Sequence, residues 1–284
     1  MLVIRKSWLN QPPTISTPLN SRLRAPTVVW SGASWDKSYV LNEAAVLGGS
    51  TLPTQIPTAR GLSASFVYSA ATYPQVKLCA DADSVFTSST QTTIAVLRRC
   101  RDTTARNTYL FAYHEGSAGV DRVLSHAPYS DGNLYWDFGN STAGSGRVSV
   151  AFTKTTEWET LVFVAGGGKG REVWRNGIRI VNNTSATASR NAVSASFVIG
   201  GFTTIYASAE SDNVDIALFI VSAEAWTDAE IVRWSRNPFG MTFAPQVRRI
   251  WTGTVASALP TLSASTYKPG TLTADGWQPR VTAT

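Results

Sequence analysis

The sequence predicts an all-β antiparallel sandwich with one short helix and an extended arm at each end. Three observations predict it. Short runs rich in β-branched and aromatic residues follow one another from Leu62 to Val221, separated by Gly, Asn, Asp and Ser. Asn176-Gly177 stands between two of these runs, and a two-residue type I′ turn there needs positive φ at both positions, which Asn and Gly supply. Helix signals, by contrast, gather at one place only, Thr227 onward.

In chain order, residues 1–26 carry Pro12, Pro13, Pro18 and Pro26 with little periodicity. Proline removes ladder donors and biases its predecessor to extended geometry, so this stretch reads as an arm. Thr27–Trp30 reads as the first strand, with Trp35 and Tyr39 as nearby anchors. Residues 42–62 read as loop, interrupted by Gly48-Gly49, Pro53 and Pro57. Strand-like runs then occupy Ala64–Tyr68, Gln75–Cys79, Thr92–Arg99, Tyr109–Tyr113, Arg122–Ser125, Leu134–Phe138 and Arg147–Phe152. They continue with Trp158–Ala165, Arg171–Trp174, Ile178–Val181, Ala195–Ile199 and Asn213–Val221.

Gly166, Gly167, Gly168 and Gly170 end the run before the Asn-Gly hairpin. A two-residue turn sets Arg175 opposite Ile178, Trp174 opposite Arg179 and Val173 opposite Ile180. The run Asp215–Val221 is apolar on both faces, as a central strand covered on both sides would be. Thr227 and Glu230 form a capping-box pattern, Ile231 and Trp234 supply an apolar stripe, and Pro238 is expected to stop the helix. After Pro245 the chain turns basic and then polar. The expected organisation is an N-terminal arm over 1–26, a sandwich over 27–245 and an extended β-rich arm over 246–284.

The apolar share of 43% allows a sizeable core. No basic segment followed by an apolar one opens the chain as a signal peptide would, and no apolar run approaches the roughly 18 residues that span a bilayer. A soluble protein without a membrane partner is expected. The net charge is +6, of which residues 1–26 carry +4 and residues 246–284 carry +3, so the middle carries −1. A nucleic-acid-binding domain places its basic stripe on the folded body. Charge confined to the ends suits docking arms instead, through Arg5, Lys6, Arg22 and Arg24 on one side and Arg248, Arg249, Trp251 and Arg280 on the other. Cys79 and Cys100 are too few for a metal site or a disulfide framework; they are either two buried thiols or one pair.

The order of features resembles the laminin G-like, concanavalin A-like jelly-roll superfamily. The matching pieces are Gln91–Val96, Thr156–Val164, the Val173-Trp174-Arg175-Asn176-Gly177 turn, Phe197–Gly201 and the passage from Asp215–Phe219 into the capped helix. A narrower likeness lies at the C-terminal end. Trp234-Ser235-Arg236-Asn237-Pro238-Phe239, Phe243-Ala244-Pro245, Arg248-Arg249-Ile250-Trp251, Ala258–Leu262 and Arg280–Thr284 resemble laminin G-like proteins encoded by tailed bacteriophages and prophages. That resemblance implies a non-enzymatic virion surface protein of decoration or tail-fibre type. It also implies other capsid or tail proteins as partners, and often a homotrimer.

Candidate chemistry is sparse. Gly166–Gly170 with Lys169 has the glycine content of a phosphate cradle, but Lys169 is followed by Gly170 and Arg171 where a P-loop has Ser or Thr and a helix. His114 and His126 are the sole imidazoles, and no G-x-S-x-G elbow accompanies them. Glu157 and Glu159 share a strand face, whereas glycoside hydrolysis needs carboxylates across a cleft. Asp81 with Asp83, or Asp212 with Asp215, are the pairs that calcium would use; no other cofactor is expected. The most lectin-like cluster is Tyr135, Trp136 and Asp137 with Asn140. Aromatic faces stack on sugar rings and amides orient hydroxyls, which makes a host-surface glycan the alternative partner. Neighbouring strand residues point to opposite faces, so Tyr135 and Trp136 cannot both face a ligand.

Overall fold

The structure is a computed structural model, and it describes residues 2–5, 19–21, 24, 26–32, 46–49, 52–68, 74–79, 85–113, 120–191, 196–200, 210–244, 247–250, 272–273 and 276–277. The first strands are β1 (Leu2–Arg5), β2 (Pro26–Ser31), β3 (Val46–Gly49), β4 (Thr54–Thr58), β5 (Gly61–Phe66) and β6 (Pro74–Cys79). Then come β7 (Thr92–Cys100), β8 (Thr108–Tyr109), β9 (Phe111–Tyr113), β10 (Val120–His126), β11 (Asn133–Asn140) and β12 (Arg147–Ala151). A meander of β13 (Trp158–Ala165), β14 (Arg171–Arg175) and β15 (Ile178–Asn183) is followed by β16 (Phe197–Gly200), β17 (Glu210–Ser211) and β18 (Val214–Ser222). Two short helices, α1 (Asp228–Arg236) and α2 (Pro238–Thr242), precede β19 (Val247–Ile250), β20 (Leu272–Thr273) and β21 (Gly276–Trp277).

Two antiparallel sheets carry the predicted sandwich. One runs β12-β11-β10-β9-β16-β6-β3, and the other β15-β14-β13-β7-β18-β5-β4, with β2 also paired to β18. Between them lies an aromatic core of Trp30, Phe66, Phe111, Trp136, Phe163, Phe197 and Phe219, all fully buried. Phe111 sits at its centre, edge-on to Trp136, Phe163 and Phe219 at ring separations of 5.8, 5.2 and 5.8 Å. Burying one such side chain contributes about 1.5–3 kcal/mol, which is why a sheet with one continuous apolar face must find a second.

β18 is the central strand the sequence predicts, with all nine residues buried. A bulge between Ile216 and Leu218 turns Ile216, Phe219 and Val221 to the inter-sheet core, while Ala217, Leu218 and Ile220 face a second cluster. The helices cover that second cluster with Ile231, Trp234, Phe239 and Met241, joined by Trp226 just before α1. The capping box of α1 forms as expected, the Glu230 amide donating to the Thr227 hydroxyl at 3.3 Å and the Thr227 amide to the Glu230 carboxylate at 2.7 Å.

Four expectations need correction. Residues 42–62 hold β3 and β4 rather than loop; β4 accommodates Pro57 because it is an edge strand. Pro238 does not only end a helix: it opens α2, where its missing N–H is no loss. The Asn176-Gly177 turn forms with φ of 50° and 78°, but a bulge sets Val173 opposite Val181 instead of Ile180. Finally, the first strand is β1, not Thr27–Trp30, and it pairs antiparallel with β19, Leu2 opposite Ile250 and Arg5 opposite Val247.

The chain divides into two compact units, residues 6–246 and residues 1–5 with 247–284. The second unit contains the β1–β19 ladder and the β20–β21 hairpin. Within the first, Leu19 bridges to Phe243 and the Asn20 amide donates to the Thr242 carbonyl at 2.8 Å, so part of the expected N-terminal arm is held by the helices. Cys100 is a free, buried thiol on β7, and burial pushes its pKa up; Cys79 is on β6, in the other sheet. Among the described residues no helix is long and apolar enough to cross a membrane.

Candidate functional site

The outward face of β10, β11 and β12 builds a polar aromatic pocket. Alternation along each strand is the cause: Val123 and Ser125, or Trp136 and Phe138, turn away from it, while Arg122 and His126, or Tyr135 and Asp137, turn toward it. His126 stands opposite Tyr135 and Leu124 opposite Asp137, and on the next strand Arg147 stands opposite Asp137. Asn107 and Tyr109 at β8 and Tyr129 on the turn after β10 complete a cavity of about 300 Å³ with Arg122, His126, Tyr135 and Arg147.

Each wall of the cavity is held in place. The His126 ring lies 4.4 Å from that of Tyr109, at 36°, and 4.9 Å from that of Tyr129, at 76°. Tyr135 meets Tyr129 edge-on at 6.0 Å, and the Arg147 guanidinium covers the Tyr135 ring at 4.8 Å. At the rim, the Tyr135 hydroxyl donates to the exposed Asp131 carboxylate at 2.5 Å, and this bond lowers the Asp131 pKa and raises that of Tyr135.

Beneath them Asp137 is fully buried and takes two hydrogen bonds from Arg147, Nε to Oδ1 and Nη2 to Oδ2, each 2.6 Å. Burial pushes the Asp137 carboxyl above its ordinary range, against the pull of Arg147 and then Arg122. His126 Nδ1 is 2.8 Å from the Thr108 carbonyl, which can only accept, so Nδ1 carries the proton and Nε2 is left as an acceptor. Burial lowers the His126 pKa to about 4, so the ring is neutral at physiological pH.

This arrangement sorts the residues that the sequence singles out. Tyr135 lines the cavity. Trp136 does not: it is fully buried in the inter-sheet core, its indole N–H donating to the Val164 carbonyl at 3.1 Å. Asp137 is beneath the cavity as the counter-ion of Arg147 and presents no exposed surface. Asn140 belongs to the turn at the far end of β11, accepting from the Thr142 amide at 2.9 Å and donating to Ser145 at 3.3 Å. Missed were Asn107, Tyr109, Arg122, His126, Tyr129 and Arg147. The signal for two of them was legible, since Arg122 and His126 alternate with core residues as Tyr135 and Asp137 do.

The other candidates resolve into structural roles. Glu159 is buried and paired with Arg98 and Arg175, at 3.0 and 2.7 Å, while Glu157 is exposed. Asp212 holds Lys154 at 2.7 Å and Asp215 holds Arg99 at 2.6 Å, so cationic side chains stand where calcium would. Among the described residues no cluster of three or more His, Cys, Asp or Glu is placed to hold a metal ion. Asp81, Asp83 and His114 lie outside the described residues. Lys169 is bound to Glu172 and Asp228 in a hairpin loop whose Gly166 amide donates to the Gly170 carbonyl at 2.9 Å.

Of the expected docking residues, Arg5 lies on β1 and Arg248 and Arg249 on β19. Arg24 is ion-paired with Glu224, with Glu230 at 3.8 Å. Lys6, Arg22, Trp251 and Arg280 lie outside the described residues.

No protein-family model matches the chain, and no curated protein sequence matches it. Solved structures do resemble it. Domain 4 of AbnA, a GH43 extracellular arabinanase from Geobacillus stearothermophilus, solved in complex with arabinotriose, superposes with a TM-score of 0.56 at 14% identity, covering 77% of this chain and 98% of that one. The binding domain of botulinum neurotoxin DC in complex with SialylT gives 0.52 at 10% identity, over 76% and 52% of the two chains. That of Paraclostridial mosquitocidal protein 1 gives 0.51 at 12%, over 74% and 52%. The chain thus spans about half the length of the toxin binding domains. At these identities the likeness shows the fold: a jelly-roll-like β-sandwich.

Proposed function

We propose that this chain is a non-enzymatic glycan-binding module. One observation carries the reading: an open cavity of about 300 Å³ walled by Tyr109, His126, Tyr129 and Tyr135 and floored by guanidinium groups. Apolar ring faces with a few fixed polar groups are what a sugar needs, since a pyranose offers C–H faces to aromatic rings and hydroxyls to donors and acceptors. The arabinotriose and SialylT named with two of the similar structures add support. Catalysis is not part of the reading, because among the described residues that line the cavity there is no carboxylate pair.

The test is a glycan array followed by titration calorimetry on the wild-type chain and Tyr135→Ala. The wild type should bind at least one surface saccharide, and the variant should lose about tenfold in affinity, the worth of one stacked ring. Absence of binding at millimolar sugar would overturn the reading.

The same module is proposed to be displayed on a tailed-phage particle, as a homotrimer, attached through its terminal segments to capsid or tail proteins. What favours this is the phage-like sequence after Trp234 and the grouping of both chain ends in a unit of their own. Removing residues 247–284 should abolish incorporation into particles while sugar binding persists; normal incorporation would reject the attachment role. Light scattering on the full chain checks the trimer.

A further inference from the structure

We infer that the pocket selects acidic saccharides, sugars carrying a carboxylate or sulfate oxyanion, and that Arg122 is the residue that takes the charged group. The inference rests on the glycan-binding reading and names the ligand class for the same site.

The argument is one of unmatched charge. Arg122 and Arg147 both line the pocket, and among the described residues the buried carboxylate paired with them is Asp137 alone. Arg147 takes both Asp137 oxygens in a fork at 2.6 Å, so the hydrogen bonds of that carboxylate go to Arg147 while its charge is shared with Arg122. Arg122 Nη1 stands 3.6 Å from Oδ2, beyond hydrogen-bond reach, and its Nε is buried with no hydrogen-bond partner. Its side chain is 10% exposed, so water compensates this cation poorly. The other nearby carboxylate, Asp131, is at the solvent-exposed rim and engaged by the Tyr135 hydroxyl and the Asn133 amide. A charge there is screened in a way the buried guanidinium is not.

A planar guanidinium with free donor capacity matches an oxyanion in both charge and shape. His126 supplies the second element of recognition. Its Nδ1–H is spent on the Thr108 carbonyl, so Nε2 can accept from a ring hydroxyl while the imidazole adds no competing charge. Tyr129 and Tyr135 supply the apolar faces. An acidic sugar satisfies all three requirements, whereas a neutral sugar leaves two guanidiniums sharing the single Asp137 carboxylate.

The experiment is titration calorimetry of the full chain against uronate-, sialic-acid- and sulfate-bearing oligosaccharides, each beside its carboxyl-reduced or desulfated counterpart. At least one acidic member should bind about tenfold or more tighter than its neutral counterpart, with the advantage shrinking as salt is raised. Arg122→Gln, checked for an unchanged melting transition, should erase the acidic preference while retaining residual sugar binding. Should that variant fail to fold, the wild-type comparison of matched pairs decides alone. Equal or tighter binding of the neutral counterparts overturns the inference and leaves glycan binding standing. Failure of every member to bind overturns both.

Discussion

Arg147 and Asp137, facing each other on adjacent strands, form a two-pronged ion pair with both bonds at 2.6 Å, and Asp137 is wholly removed from solvent. The pair fixes the floor of the pocket and orients Arg147 over the Tyr135 ring. Asp137→Asn should therefore leave two partly buried guanidiniums without a counter-charge. A loss of about 3–5 kcal/mol is expected from breaking one partner of a buried pair. Urea denaturation measures it; a loss within 0.5 kcal/mol (about the scatter of neutral surface changes) would mean the pair is not a structural element.

His126 should make stability depend on pH. Its folded-state pKa of about 4 lies below the ordinary imidazole value of 6.5, so between those values the unfolded chain binds more protons than the folded one. The contribution is complete above pH 6.5 and is lost as pH falls toward 4. Over that window it amounts to about 3 kcal/mol. Denaturant midpoints of the wild type and His126→Gln at several pH values test this. The variant should show a flatter dependence there, and identical slopes would refute it.

Glu159 offers a check on the proposed non-enzymatic reading. It is buried between Arg98 and Arg175, at 3.0 and 2.7 Å, so Glu159→Gln should lower stability by about 3 kcal/mol or more. Sugar affinity at the pocket should be unchanged in whatever fraction remains folded. Polysaccharide cleavage by the wild type that vanishes in this variant would contradict the non-enzymatic reading.

The helix cap makes a smaller, cleaner prediction. Thr227→Ala removes the acceptor for the Glu230 amide and should cost about 1 kcal/mol, with no effect on ligand binding, because α1 packs on the opposite sheet from the pocket. A thermal scan with calorimetric binding at one temperature reads both.

Local signals in the sequence determined much of this protein. Asn176-Gly177 specified its hairpin because few residues tolerate positive φ, and Thr227 with Glu230 specified α1 because a helix start has unpaired donors to satisfy. The apolar run of β18 announced a strand covered on both faces. Edge strands β3 and β4 escaped notice because edge positions tolerate the Gly and Pro that otherwise signal loops. The bulges that move Val173 and Leu218 by one partner are set by packing across the sheet and leave no local mark. The site was legible only in part. Tyr135 was visible, but a lone strand does not reveal which of its two faces meets the other sheet, and so Trp136 could not be told from a ligand contact. The tertiary fold decided that, by burying the Trp136 face against Phe111 and Phe163 and leaving the other face to gather residues from β8, β10, β11 and β12. Pairing of distant strands created the pocket, and no stretch of sequence contains it.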